Sequence, residues 1–81
     1  MVLNLTQKKI AVIVGVTGQD GAYLCGDLLN LGYEVYGVAR KLTAQNSWRL
    51  SQLGHLKNPK LNLVELDITH PSQVSSLIES I

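Results

Sequence analysis

The sequence is poor in several features that define particular classes of protein. Its 81 residues include one cysteine, Cys25, so an internal disulfide is impossible and no second thiol stands at metal-ligand spacing. Only two prolines are present and no stretch is of low complexity, which argues against a disordered tail. We therefore expect one small globular unit over residues 1–81, in a reducing, cytoplasmic compartment, with no bound metal.

Charge and hydrophobicity argue against two further kinds of partner. Seven basic and six acidic residues leave a formal net charge of +1, without the dense cationic run that neutralises a nucleic-acid backbone. The apolar run over residues 10–16 is far too short to cross a bilayer, and it is not followed by a small-residue cleavage site. We expect neither nucleic acid nor a membrane among the partners of this chain.

Three short apolar segments have the composition of β-strands. Residues 10–14 form a continuous, mostly β-branched run before Gly15, which is typical of a strand buried on both faces. Residues 33–39 are aromatic and β-branched, and residues 61–66 are apolar and end at Asp67. The pattern predicts three strands separated by other elements.

Helical periodicity occupies the intervals between these strands. An apolar stripe precedes the helix stop Gly32, and its members are Leu24, Leu28 and Leu31, widened by Cys25 and Leu29. Ser47 could cap a short second helix, ended by Asn58-Pro59, that presents three leucines inward: Leu50, Leu53 and Leu56. Pro71 opens a third helix with four apolar residues on one face: Val74, Leu77, Ile78 and Ile81.

The alternation of strands and helices predicts an α/β fold. A β-α-β-α-β unit of this kind specifies a parallel sheet with right-handed crossovers. We expect a partial Rossmann fold of three parallel strands, in the order 3-2-1, with flanking helices, as the N-terminal half of an NAD(P)-binding domain. Residues 10–14 would then form an unpaired apolar edge, which favours self-association or a homo-oligomer.

Three glycines at intervals of three lie between the first strand and the first helix. Gly15 permits a tight turn, Gly18 lets a phosphate approach the backbone without a Cβ in the way, and Gly21 allows close helix packing. The helix start offers N–H groups and partial positive charge to a pyrophosphate. The alternative is an ordinary turn with incidental glycines. A Walker-type loop is disfavoured because Ala22 and Tyr23 follow Gly21 where that loop has Lys and Ser or Thr.

A basic pair stands where dinucleotide-binding folds place the side chain that contacts the adenosine ribose. That position lies roughly twenty residues after the glycine loop and carries an acid for NAD or a basic group for NADP. Arg40 and Lys41 occupy it here, and a guanidinium can bind a 2′-phosphate bidentately, so the chemistry favours NADP. The alternative is a solvated basic pair at a strand end.

Four further residues are interpreted from their positions. Asp67 follows the third strand, where α/β sheets bind ligands, and could accept a hydrogen bond from the adenine amino group or merely start a turn. Thr17 could orient the glycine loop through its hydroxyl, and turn stabilisation explains it equally well. Cys25 and Trp48 are assigned to packing.

Several strings of residues are specific enough for comparison with known families. They are residues 16–24 (Val-Thr-Gly-Gln-Asp-Gly-Ala-Tyr-Leu), 32–38 (Gly-Tyr-Glu-Val-Tyr-Gly-Val), Arg40 and 46–50 (Asn-Ser-Trp-Arg-Leu). Together they resemble the amino-terminal part of the GDP-mannose 4,6-dehydratase family, within the extended short-chain dehydrogenases/reductases. The string Thr-Gly-Gln-Asp-Gly-x-Tyr-Leu is the most specific, because other members share the glycines but usually vary Gln-Asp and Tyr.

The resemblance implies an NADP-dependent lyase that removes water from GDP-mannose to give a 4-keto-6-deoxy sugar nucleotide. In that family the cofactor takes hydride from the sugar C4 and returns it at C6, so it is regenerated in each turnover. The resemblance also implies the cofactor contacts, which are Thr17, Gly18, Gln19, Asp20, Gly21, Tyr23, Leu24, Arg40, Asp67 and Ile68. Two positions depart from the family: Lys41 where Arg is frequent, and His70 where an acidic helix cap is usual.

The catalytic part of the family pattern does not occur in this sequence. The family's base lies in a Tyr-x-x-x-Lys motif, accompanied by a Ser or Thr and an acid, in later segments. Tyr36 and Arg40 have the same spacing, but they lie in and after a predicted strand, and an arginine remains protonated. We therefore assign no catalytic residue and expect the chain, as a fragment or truncated product, to carry cofactor contacts without catalysis.

Two other functions fit the same residues. The fold could belong to an epimerase or reductase of another nucleotide sugar, which activity screening across nucleotide sugars would reveal. The isolated chain could also be a non-catalytic, self-associating module, and a stable monomer in solution would count against that function.

Overall fold

The chain folds into a four-stranded sheet with helices on both faces, in a computed structural model that describes residues 2–4 and 9–81. The strands are β1 (Val2–Asn4), β2 (Ile10–Val14), β3 (Glu34–Ala39) and β4 (Leu61–Glu65). The helices are α1 (Gln19–Asn30), α2 (Trp48–Gln52) and α3 (Pro71–Ser80), with a 3-10 turn at His55–Lys57. Within the described ranges, no helix has the length and apolar character needed to cross a membrane.

Strands β2, β3 and β4 are parallel and lie side by side in that order. Val12 of β2 pairs with Tyr36 of β3, and Val38 of β3 pairs with Val64 of β4. The predicted parallel sheet of three strands, with flanking helices, is therefore confirmed. The bounds differ slightly from the prediction, because β3 begins at Glu34 and β4 ends at Glu65.

The predicted free edge of the sheet is wrong. Strand β1 pairs antiparallel with the outer edge of β2, with Val2 opposite Ile13 and Asn4 opposite Ala11. The run Ile10–Val14 thus lies between two strands. Sequence patterns missed β1 because its three residues are too few for a periodicity and because backbone pairing requires no particular side chain.

The larger hydrophobic core lies between the sheet and helices α1 and α2. Side chains alternate along a strand, so that Ile13, Val35 and Ala39 share this face. They belong to one cluster with the following buried residues: Val16, Ala22, Cys25, Leu29 and Leu50. This cluster anchors the loop between β2 and α1 to the core, because Val16 is part of that loop and is fully buried.

Helix α1 packs mainly through small residues and not through the predicted leucine stripe. Its buried residues are Ala22, Cys25, Gly26 and Leu29. Leu24 is exposed and the side chain of Leu31 is 62% exposed, so the stripe through these residues is wrong. Its widening by Cys25 and Leu29 is confirmed, and Leu28 of the stripe is half-buried and packs against the same core. Small side chains allow the close approach that a well-packed interior requires.

The helix after β3 is shorter than predicted. The Ser47 hydroxyl donates to the carbonyl oxygen of Thr43 at 2.7 Å and does not cap the helix. Leu50 is buried as predicted, whereas Leu53 and Leu56 are exposed, since the α-helix ends at Gln52 and Leu56 lies in the separate 3-10 turn.

A smaller core lies on the opposite face, beneath α3. Its buried members are Val12, Val38 and Leu66. Three residues of α3 or its end pack against them: Val74, Leu77 and Ile81. Ile78 is exposed and does not join the predicted apolar face, because the contact with the sheet involves a narrower side of the helix.

Candidate functional site

The loop between β2 and α1 turns at a residue whose conformation favours glycine. Gly15 has φ of +82°, in the left-handed region that side chains rarely adopt. Its N–H and that of Val16 donate to the carbonyl oxygen of Val38, at 2.9 and 3.2 Å. The Gly15 carbonyl oxygen accepts the Gly18 N–H at 3.0 Å. The loop is therefore fixed both to the carboxyl end of β3 and to itself.

Close approach within the loop explains the other two glycines. A Cβ on Gly21 would overlap the carbonyl oxygen of Gly15. A Cβ on Gly18 would lie 3.4 Å from the same oxygen, which is a tolerable distance. Gly21 is thus required for the packing of α1 on the loop. At Gly18, the space that a Cβ would occupy is open apart from the Gly15 oxygen.

Helix α1 begins with N–H groups that lack acceptors. Gly18 provides no side-chain cap, and its carbonyl oxygen accepts the Ala22 N–H at 2.9 Å. No acceptor for the N–H groups of Gln19, Asp20 and Gly21 occurs among the described residues. They adjoin the small cleft, of about 360 Å³, lined by Ile13, Val14, Gly15, Gly18, Gln19, Asp20, Gly21 and Leu24. Such donors, at the positive end of a helix, suit an anionic group.

The large cleft, of about 710 Å³, lies at the carboxyl ends of β2, β3 and β4. It brings together residues that were selected from three separate segments of the sequence: Gly15, Thr17, Arg40, Asp67 and Ile68. Val14, Val38 and Leu66 add an apolar lining, and Lys41 lies on the same wall. The arrangement combines an apolar surface with two cations and one carboxylate.

The carboxylate of Asp67 is held by its own turn. Thr69 donates to Asp67 Oδ1 from its N–H at 2.9 Å and from its hydroxyl at 2.6 Å. Arg40 Nη2 and His70 Nε2 each lie 3.5 Å from Asp67 Oδ2. The hydroxyl and N–H of Thr69, and to a smaller extent Arg40 and His70, hold the pKa of Asp67 below its usual range. Asp67 is therefore ionised at neutral pH, and it does form the turn into α3.

Asn46 lines the large cleft and was missed by the sequence analysis as a site residue. Its Oδ1 accepts the Thr43 N–H at 2.9 Å, and its own N–H donates to Thr43 Oγ1 at 3.1 Å. Its Nδ2 donates to the Lys41 carbonyl oxygen at 2.7 Å, which fixes the chain just after Arg40. The spacing Thr-x-x-Asn, similar to a reciprocal capping box, is a signal that could have revealed it.

Arg49 is a second residue that the sequence analysis missed. Its Nη1 lies 3.5 Å from the Thr17 carbonyl oxygen, and its guanidinium lies 4.6 Å from the centroid of the Trp48 ring. Trp48 is 46% exposed, so its assignment to packing is wrong. Tyr23 lies beside these two residues in a third cleft and lines neither the large cleft nor the small one. Of the predicted contacts, Gln19 lines this third cleft as well as the small one and so connects Tyr23 with the glycine loop.

Cys25 lies in the core and lines none of the three clefts. It is fully buried, and burial raises the pKa of its thiol to about 11. Cys25 is therefore a packing residue, as predicted. In the part of the chain that the structure describes, no group of three or more metal-ligating side chains comes together.

Comparisons with known proteins show which family the chain is similar to. A family model described as GDP-mannose 4,6 dehydratase matches residues 12–81. The GDP-mannose 4,6 dehydratase of Cricetulus griseus is 45% identical over 56 residues, which cover 69% of this chain and 14% of that protein. A GDP-mannose 4,6-dehydratase of Vibrio cholerae is 38% identical over 77 residues, which cover 91% of this chain and 21% of that protein.

A solved structure shows the same fold. A short-chain dehydrogenase from Streptomyces avermitilis superposes with a TM-score of 0.68 and 17% sequence identity. The match covers 93% of this chain and 26% of that protein. The chain spans between 14% and 21% of the length of the two curated relatives.

Proposed function

Because this chain belongs to the GDP-mannose 4,6-dehydratase family, we propose that residues 1–81 are the N-terminal half of the NADP-binding Rossmann domain of a sugar-nucleotide 4,6-dehydratase. The observation that carries the proposal is the large cleft, where the glycine loop, a basic pair and an ionised carboxylate share one sheet edge. Open α/β sheets bind nucleotides at the carboxyl ends of their strands.

The glycine loop suits the pyrophosphate of a dinucleotide. The N–H groups of Gln19, Asp20 and Gly21 would bind the phosphate oxygens, and the missing Cβ of Gly18 leaves the space for them. Thr17, within this loop, lines the large cleft, and Leu24, in α1, lines the small one. The contact of Tyr23, which rests on family resemblance, has the least support from the geometry.

The large cleft suits the adenosine half of NADP. Arg40 and Lys41 would bind the 2′-phosphate, the group that distinguishes NADP from NAD. Asp67 would accept a hydrogen bond from the adenine amino group, and Ile68 would pack against the base. A cofactor held in this way spans both clefts and contacts three strand ends.

When bound, NADP supplies the reversible hydride transfer needed to convert GDP-mannose into GDP-4-dehydro-6-deoxy-mannose. The residues of this chain would bind and orient the cofactor. The sequence contains no Tyr-x-x-x-Lys segment to move a proton at the sugar. We therefore propose that these 81 residues alone are inactive as a lyase and that GDP-mannose binds elsewhere in a longer protein.

The test is a parallel titration of the purified chain with NADPH and NADH, followed by Trp48 fluorescence and by thermal unfolding. NADPH should bind more tightly, and Arg40→Ala should weaken it by about tenfold or more, because a hydrogen bond to a charged group is lost. Lys57→Ala is the matched control. It removes the same charge in the 3-10 turn before β4, away from both clefts.

Equal affinity for the two nucleotides, or binding of neither, would contradict the cofactor assignment. The substrate is tested separately, in a longer protein that contains this segment and the Tyr-x-x-x-Lys motif. If that protein turned over another nucleotide sugar but not GDP-mannose, the function would be that of an epimerase or reductase.

We also propose a homo-oligomer in a reducing, cytoplasmic compartment. Leu31 at the end of α1, and Trp48 and Leu53 at the two ends of α2, are exposed, and exposed apolar groups favour association. The unpaired thiol of Cys25 suits a reducing compartment. A molecular mass equal to one chain, measured by light scattering, would exclude the oligomer.

A further inference from the structure

Arg40, the side chain proposed to bind a 2′-phosphate, already has a partner of opposite charge. Its Nη2 lies 3.5 Å from Asp67 Oδ2, and both residues line the large cleft. The Arg40 side chain is 83% exposed, whereas that of Asp67 is only 22% exposed. Arg40 is therefore the partner that can leave this ion pair without disturbing the fold.

Asp67 is held in place by groups other than Arg40. Thr69 donates twice to Oδ1, and His70 Nε2 lies near Oδ2. The Asp67 N–H donates to Oε1 of Gln73 in α3, at 3.1 Å. The carboxylate thus stays at the cleft, ionised, whichever way the Arg40 side chain points.

We infer that Asp67 limits the preference of this site for 2′-phosphorylated adenine nucleotides by competing with the phosphate for the Arg40 guanidinium. The inference rests on the proposed NADP site. A ligand with a 2′-hydroxyl leaves the pair between Arg40 and Asp67 intact. A ligand with a 2′-phosphate draws Arg40 towards a second anion. The attraction between Arg40 and the phosphate is then partly offset, because the ion pair between Arg40 and Asp67 is weakened.

Lys41 supplies an attraction that this competition does not affect. It lines the large cleft, and its carbonyl oxygen is fixed by Asn46. Over residues 2–4 and 9–81, no ion pair involves its side chain. Loss of the Asp67 charge should therefore strengthen binding of the phosphorylated ligand through Arg40, in addition to the contribution of Lys41.

Adenosine 2′,5′-bisphosphate and AMP are suitable probes, since they differ only in the 2′-phosphate. Any adenine contact of Asp67 is common to both, so the ratio of their dissociation constants isolates the 2′-phosphate. We expect Asp67→Asn and Asp67→Ser to raise the preference for the bisphosphate by about two- to fivefold, the range for one exposed ion pair. Two neutral replacements are used, with circular dichroism, so that a folding defect in one does not decide the result.

Glu34→Gln is the matched control, because it removes the same charge at the opposite end of β3 and should leave the ratio unchanged. In an Arg40→Ala background, Asp67→Asn should no longer change the ratio. An unchanged or lower ratio in the Asp67 variants overturns the inference, and so does a rise that persists without Arg40. If the unmodified chain binds neither probe, or both equally, the proposed NADP site itself is overturned.

Discussion

Gly21 in the first turn of α1 faces the carbonyl oxygen of Gly15 so closely that a Cβ at position 21 would overlap that oxygen. The same oxygen accepts the Gly18 N–H. The exit from β2, the glycine loop and the start of α1 are therefore one rigid unit. Any change in the packing of α1 alters the position of the N–H groups at its end.

Gly21→Ala should destabilise the fold by about 1–3 kcal/mol, because the added methyl group must displace the Gly15 backbone. Gly18→Ala is the informative comparison. Its Cβ would lie at a tolerable 3.4 Å from the same oxygen but would occupy space proposed for a phosphate. Urea denaturation should show the larger loss for Gly21→Ala, while NADPH titration should show weakened binding in both variants. Equal stability of the two variants would refute this account of the loop.

Gly26→Ala should change stability little, because the atoms that its Cβ would meet, Nε2 of His55 at 2.5 Å among them, form the far end of a half-buried side chain that can rotate. The steric cost should be about 0.5–1.5 kcal/mol, that of an unfavourable rotamer, and the gain of roughly 1 kcal/mol from replacing glycine in a helix offsets it. In a His55→Ala background the steric cost disappears, so the same substitution should be neutral or stabilising. Chemical denaturation of the unmodified chain, the two single variants and the double variant measures the coupling free energy between positions 26 and 55. Additive effects would show that the His55 ring does not limit position 26.

Removal of β1 should expose the outer edge of β2. Successive N–H groups of a strand point to opposite sides, so the double variant Val2→Pro, Leu3→Pro removes a donor from the ladder whichever side faces β2. We expect an increased apparent mass by light scattering, because an apolar strand edge pairs with other chains. The variant Val2→Ala, Leu3→Ala keeps both donors and is the control. An unchanged mass in the proline variant would mean that β1 does not protect β2.

The buried thiol of Cys25 should make stability depend on pH in the alkaline range. Burial raises its pKa from 9.0 to about 11, so the unfolded chain loses this proton first as pH rises. The contribution of the protonated Cys25 thiol to the free energy of unfolding is complete below pH 9. As pH approaches 11, the free energy of unfolding falls by roughly 1–3 kcal/mol because this contribution is lost. Unfolding free energies of the chain and of Cys25→Ala, measured across this range, should converge. Parallel curves would contradict the assigned pKa.

The parallel sheet and the glycine loop could be predicted because their signals are local. A β-branched run followed by Gly15 indicates a buried strand and its end, and the interval from Gly15 to Gly21 reflects a contact within a few residues. Arg40 and Asp67 could be selected because parallel strands bring their carboxyl ends to one edge. Their ion pair was not predicted, because it depends on side-chain directions that strand order does not specify.

The errors came from contacts between distant segments. Leucines at helical spacing predicted the buried face of α1, but its closeness to the sheet favours Ala22, Cys25 and Gly26 there instead. Arg49 reaches the glycine loop only because α2 folds back across it. Contacts of this kind follow from three-dimensional packing, and no local sequence pattern predicts them.

The short strand β1 also has a consequence for the order of folding. It is joined to β2 by residues 5–9 alone, whereas the whole of α1 separates β2 from β3 in the sequence. Hairpin contacts form in roughly 1–10 μs, and pairing between distant parallel strands is slower. During that interval β1 can cover an apolar segment that would otherwise be free to pair with another unfolded chain. Hydrogen-exchange labelling early in refolding should therefore detect protection in β2 before β4.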